Sequence, residues 1–157
     1  MLTPYLDDHA ATLAGTAALL GRMRSAARHA AIRDLLGEIA DEVEDDRRAV
    51  DGRMREVGAA PSRAKQALAA AAERLGRLKP NGSLFRETPL TAIAELEWLM
   101  LGLYSSGALW RGLEVVASPS PGDAAARGER AERRLAQLDE HRRARLAAAG
   151  SRAPNLG

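Results

Sequence analysis

The chain has 157 residues, 46% of them hydrophobic, with 23 Lys and Arg set against 21 Asp and Glu and no Cys. That length suits one domain with a sizeable core, and the lack of thiols removes disulfides, thiolate zinc sites and cysteine nucleophiles. The formal net charge is only +2, and acids and bases are interspersed along most of the chain, so no basic face is offered to nucleic acid.

Alanine (33) and leucine (22) dominate, against 13 β-branched residues. Strand formers are nearly absent, so the composition predicts an all-α fold. The opening Met1-Leu2-Thr3-Pro4-Tyr5-Leu6-Asp7-Asp8 carries acids where a secretory leader needs basic residues. No stretch approaches the roughly 18 consecutive apolar residues of a membrane span. Both point to a cytoplasmic protein without membrane contact.

The first predicted helix runs from about Pro4 to Ala27, started by Thr3-Pro4, with Leu6, Leu13, Leu20 and Ala27 on one seven-residue line. A short break near His29 leads into a second, from about Ala30 to Val57. There Leu36, Val43, Val50 and Val57 share a face with Ile32, Ile39 and Met54 beside them, and Gly58 provides the stop. So short a break makes the pair an antiparallel hairpin. Residues 61–78 read as a small-residue helix of ~27 Å, long enough to return the chain along a bundle. Residues 79–87 read as a polar loop anchored by Leu84 and Phe85.

The next predicted helix, Pro89 to about Ala117, follows Thr88-Pro89 and is apolar on nearly every side: Leu96, Trp98, Leu99, Leu101, Leu103, Tyr104, Leu109, Trp110 and Leu113 all lie within it. A helix without a polar face is either central or covered by another subunit, so a homodimer through helix 89–117 is expected. The last helix, about Gly122 to Ala149, follows Ser120-Pro121 and keeps a thin stripe of Ala124, Gly128, Ala131, Leu135, Leu138 and Leu146. One bundle domain, 1–149, and a disordered tail, 150–157, complete the organisation.

Two features could carry chemistry. Glu38, Asp41, Glu42, Glu44, Asp45 and Asp46 put six acids into nine residues. Glu38, Glu42 and Asp45 are spaced to converge on a hard cation, although an acidic run followed by Arg47, Arg48, Arg53 and Arg55 is ordinarily a solvated face of helical ion pairs. Asp46 differs, because it interrupts the stripe between Val43 and Val50 and should point inward towards a partner. With the hairpin turning near residue 29, Asp46 falls level with His9, so a His9–Asp46 contact is expected, either as a structural pair or within a metal set of His9, Glu42, Asp45 and Asp46. Glu95 and Glu97 suit a helix start as well as a metal, and His141 beside Asp139 and Glu140 reads as a surface residue. Nucleophilic catalysis lacks a Gly-x-Ser-x-Gly elbow, and no glycine-rich phosphate loop is present.

The words Tyr5-Leu-Asp-Asp-His9, Gly76-Arg-Leu-Lys79-Pro-Asn-Gly82 and Glu95-Leu-Glu97 resemble a ferritin-like group of actinobacteria over roughly residues 5–148. The resemblance implies a ferritin-like four-helix bundle of two helical hairpins with an additional short crossover helix. In active members of that superfamily, two helices each give a Glu and two give Glu-x-x-His to a di-iron centre. This chain departs from that set: Glu38-x-x-Asp41 and Glu42-x-x-Asp45 lack a His, His141 has no Glu three residues upstream, and positions near Ala18 and Tyr104 carry no carboxylate. The expectation is therefore a non-catalytic bundle of assembly or partner binding without a cofactor. The alternative is an iron protein using His9, Glu42, Asp45 and Asp46.

Overall fold

Leucine and alanine at 3.6-residue spacing have one outcome in water, which is a set of helices that bury their apolar stripes against each other. The computed structural model describes residues 2–60, 62, 65, 67, 89–116 and 121–151. It holds four long helices: α1 (Leu2–Ala26), α2 (Ala30–Glu56), α3 (Pro89–Val115) and α4 (Pro121–Gly150), with no strand among the described residues. The fold is an all-α bundle. Most of the predicted 61–78 crossover helix, the 79–87 loop with Leu84 and Phe85, the Thr88 and Ser120 starts, and tail residues 152–157 lie outside the described residues.

α1 begins at Leu2, ahead of the expected Thr3-Pro4 start, so Thr3 sits within the first turn rather than capping it. α2 ends as its sequence predicts. Gly58 takes φ +70, the Gly58 N–H donates to the Arg55 carbonyl at 3.0 Å, and the Ala59 N–H donates to Met54 at 2.8 Å. This paired closure needs a left-handed residue, which glycine supplies without a Cβ penalty. Val57, expected on the apolar line, falls at this cap and is exposed. Gly150, expected in the tail, is instead the last residue of α4.

Cross-helix contacts fix the topology. Between α1 and α3, Arg22 bonds Glu95 and His9 faces Ser105, so residue numbers run in opposite directions. Between α2 and α4, Arg134 meets Glu38 and Glu42 while Arg127 meets Asp45 and Asp46, again antiparallel. Since α1 and α2 form a hairpin, α2 and α3 run parallel. The end of α2 lies beside the start of α1, where the Ser62 N–H and Lys65 reach Asp7, whereas the start of α3 lies beside the end of α1. The connection between α2 and α3 therefore has to cover the bundle's length, about 40 Å for a helix of this size. His141 and Glu95 end up far from His9, as a crossover requires and a simple up-down-up-down chain forbids.

The core is the predicted set of stripes. Leu6, Leu13 and Leu20 of α1, Leu36, Ile39, Val43, Val50 and Met54 of α2, and Leu138 of α4 are all buried. α3 adds Leu96, Leu99, Leu103, Leu109 and Trp110. Leu146, expected on the α4 stripe, is exposed, and so are Trp98 and Tyr104 of α3. Thus α3 has two apolar faces and buries only one.

Candidate functional site

The polar centre of the bundle forms where Asp46 interrupts the apolar face of α2. Its residue is 5% exposed, a depth at which an unpaired carboxylate is strongly unfavourable. Three donors meet it. The buried Ser106 hydroxyl donates to Oδ2 at 2.8 Å, while Arg127 and Arg130 donate to Oδ1 at 2.9 and 2.6 Å. Arg127 also bonds Asp45 at 2.9 Å and Asp123 at 3.1 Å, and its guanidinium lies 5.0 Å from the centre of the Trp110 ring. This stacking covers one face of a buried indole whose N–H has no partner among the described residues.

One turn further along α4 the pattern repeats. Arg134 holds Glu42 through both carboxylate oxygens, at 3.0 and 2.8 Å, and reaches Glu38 at 2.9 Å. Arg127 and Arg130 thus take Asp45 and Asp46 while Arg134 takes Glu42 and Glu38, and the three-and-four spacing of the arginines mirrors that of Asp45, Glu42 and Glu38 in the antiparallel sense. Such matched forks hold the α2 and α4 backbones in one register. Burial pushes the Asp45 carboxyl upward, but the bond from Arg48 and the charges of Arg127 and Arg130 outweigh it and leave it below the usual range.

The acidic run therefore serves two ends. Part of it makes the expected helical pairs, Glu44 with Arg47 at 2.7 Å and Asp45 with Arg48 at 3.3 Å. Glu38, Glu42, Asp45 and Asp46 pair across to α4, in contacts that the sequence reading missed. A signal was present in the Arg127, Arg130, Arg134 spacing, which mirrors that of the acids.

His9 and Asp46 do not form the expected contact. They are held instead by adjacent serines of α3, which point in directions about 100° apart on the helix. His9 Nδ1 lies 3.2 Å from the Ser105 hydroxyl, and its ring packs edge-on against Tyr5, with centroids 4.5 Å apart. The helix geometry explains the miss: each residue turns to α3, where consecutive serines that point apart receive them. A serine on a histidine nitrogen begins a nucleophile–base pair, yet Ser105 sits mid-helix, where the backbone N–H groups are used by the helix and cannot stabilise an oxyanion.

Of the four candidate metal ligands, Glu42, Asp45 and Asp46 have their oxygens on guanidinium groups, and His9 is apart from them. Among the described residues no group of three or more His, Asp or Glu is arranged around a common point. The donor set does not fit the di-iron centre that the resemblance implies. Glu95 and Glu97 pair with Arg22 and Arg142, and His141 is half-buried rather than on the open surface.

Burial lowers the His9 pKa, with the nearby Asp8 charge opposing in part. The folded state therefore favours the neutral ring. Its contribution to stability is complete above the ordinary value of 6.5 and is lost as pH falls through the lower folded value. Denaturant titrations of wild type and His9→Phe should diverge in pH dependence between about pH 7 and 5, the variant showing the flatter profile. Identical profiles would remove His9 as a contributor.

Comparison with known protein families, with characterised proteins and with solved structures found no match to the chain. The geometry alone carries the functional reading.

Proposed function

We propose that the chain is a non-catalytic, cytoplasmic ferritin-like bundle whose role is assembly, with α3 as its interface. The observation that carries this is the uncovered apolar stripe of α3, where Leu90, Trp98, Leu101 and Tyr104 are 71, 67, 57 and 61% exposed. Single exposed apolar residues are ordinary, but large ones recurring along one helix face mark an interaction surface. The parallel α2 and α3, each in an antiparallel hairpin, support the ferritin-like reading. No described helix is long and apolar enough to cross a membrane. The carboxylates of Glu38, Glu42, Asp45 and Asp46 are engaged by arginines of α4, which supports a structural use of these acids over an iron site.

The test is molar mass in solution by light scattering across a concentration series. Wild type is expected as a dimer, and Trp98→Asp with Leu101→Glu as a monomer of unchanged helicity. A wild type that stays monomeric throughout would overturn the reading. Stoichiometric iron retained by the same preparation after iron(II) loading and desalting would favour the iron-protein alternative.

A further inference from the structure

The α3 stripe also specifies how a second copy would sit. On a helical projection Leu90, Ala94, Glu97, Leu101, Tyr104, Ala108 and Val115 share one outward face, with Trp98 and Arg111 on its two flanks. Glu97 lies seven residues before Tyr104 and Arg111 seven after it. We infer that two copies pair antiparallel through α3 about a twofold axis close to Tyr104, an inference that rests on the assembly reading above.

Charge favours this orientation. A parallel pairing puts like residues at one level, so Glu97 near the centre of the face meets Glu97 repulsively and no Arg111 comes level with it. The antiparallel pairing places Glu97 of each copy beside Arg111 of the other, an ion pair made twice by symmetry, while Trp98 keeps to the opposite flank. Both charged residues are within reach of solvent, with side-chain exposures of 52% for Glu97 and 43% for Arg111. Their existing pairs with Arg142 and Glu132 would then extend into four-residue networks at the rim. Such rim charges set orientation more than affinity.

Shape agrees with charge. With the axis near Tyr104, Leu101 of one copy faces Ala108 of the other, and Val115 faces Ala94. Large residues therefore meet small ones along the seam, which allows close approach and interdigitation. A parallel pairing would stack Leu101 on Leu101 and leave Ala108 opposite Ala108, overfilled at one level and empty at the next. The isologous arrangement also closes on itself, so association stops at a dimer.

The absence of native cysteine permits a clean test by single-cysteine cross-linking of the full chain. Tyr104→Cys, next to the axis, should form a disulfide-linked dimer under mild oxidation. Leu90→Cys is fourteen residues away, ~21 Å along the helix, so its symmetry mate is ~42 Å distant and no bridge should form. An equimolar mixture of Glu97→Cys and Arg111→Cys should cross-link, while neither alone should. Cross-linking at both 90 and 104 identifies a parallel pair and overturns the inference while leaving assembly through α3 intact. Light scattering that shows a dimer without a Tyr104→Cys bridge also overturns the axis. A monomer by light scattering removes the assembly reading and the inference together.

Discussion

Asp46→Ala is expected to destabilise the chain by about 3–5 kcal/mol, the cost of leaving buried guanidinium charge without its partner. That is a large share of the roughly 5–15 kcal/mol that holds a domain of this kind together. The substitution removes the acceptor of three hydrogen bonds at once, from Ser106, Arg127 and Arg130. Arg127 retains Asp45 and Asp123, but Arg130 keeps only a longer approach to Asp45 at 3.8 Å. Asp45→Ala provides the contrast, because its side chain is 42% exposed and water can replace it, so the loss should stay near or below about 1 kcal/mol. Urea denaturation of both variants beside wild type gives the comparison. Equal losses would mean that burial of Asp46 is not what makes it costly. Removing the charge set together, as in Asp46→Leu with Arg127→Met and Arg130→Leu, should recover much of the deficit, since apolar replacement of a complete buried ion cluster is often neutral.

The second large effect is expected at Gly102, where α3 packs against Thr16 of α1. A Cβ added there would overlap the Thr16 hydroxyl and stand 2.9 Å from Thr16 Cγ2 and 3.2 Å from its Cβ. Thr16 cannot yield easily, because it is buried and its hydroxyl donates to the Thr12 carbonyl at 2.9 Å. Gly102→Ala would gain about 1 kcal/mol in helix propensity, but overpacking of this kind costs about 1–3 kcal/mol and wins. Gly102→Val, with two further methyl groups in the same gap, should lie at or beyond the upper end of that range. Thr16→Gly should rescue either variant, and a double-mutant cycle should show a favourable coupling of more than about 0.5 kcal/mol. Additive behaviour in the cycle would show that the two helices do not meet at these residues.

These two sites differ in how far the amino-acid order announces them. Asp46 was legible as an inward carboxylate because it breaks a seven-residue apolar line, and a buried carboxylate must find donors. Which donors it found was not legible, since Arg127 and Arg130 are more than eighty residues away and look like ordinary surface bases on a charged helix. Gly102 gave no signal at all. It sits in a run of apolar residues where a helix needs no glycine, and only the approach of Thr16 across the α1–α3 seam explains it. His9 shows the limit of pairwise register: level placement with Asp46 was inferred from hairpin geometry, but α3 supplied a serine to each instead.

By itself the sequence determined what is local. Helix identity, the break near His29, the stop at Gly58 and the core stripes follow from side-chain size, period and backbone freedom, each decided within a few residues. The tertiary structure decided what depends on two distant segments meeting. It paired the acids of α2 with the arginines of α4, separated His9 from Asp46, and left one apolar face of α3 uncovered. The physical reason is that a helix's own pattern fixes which residues share a face, whereas the partner of that face depends on topology and register, which no single helix encodes.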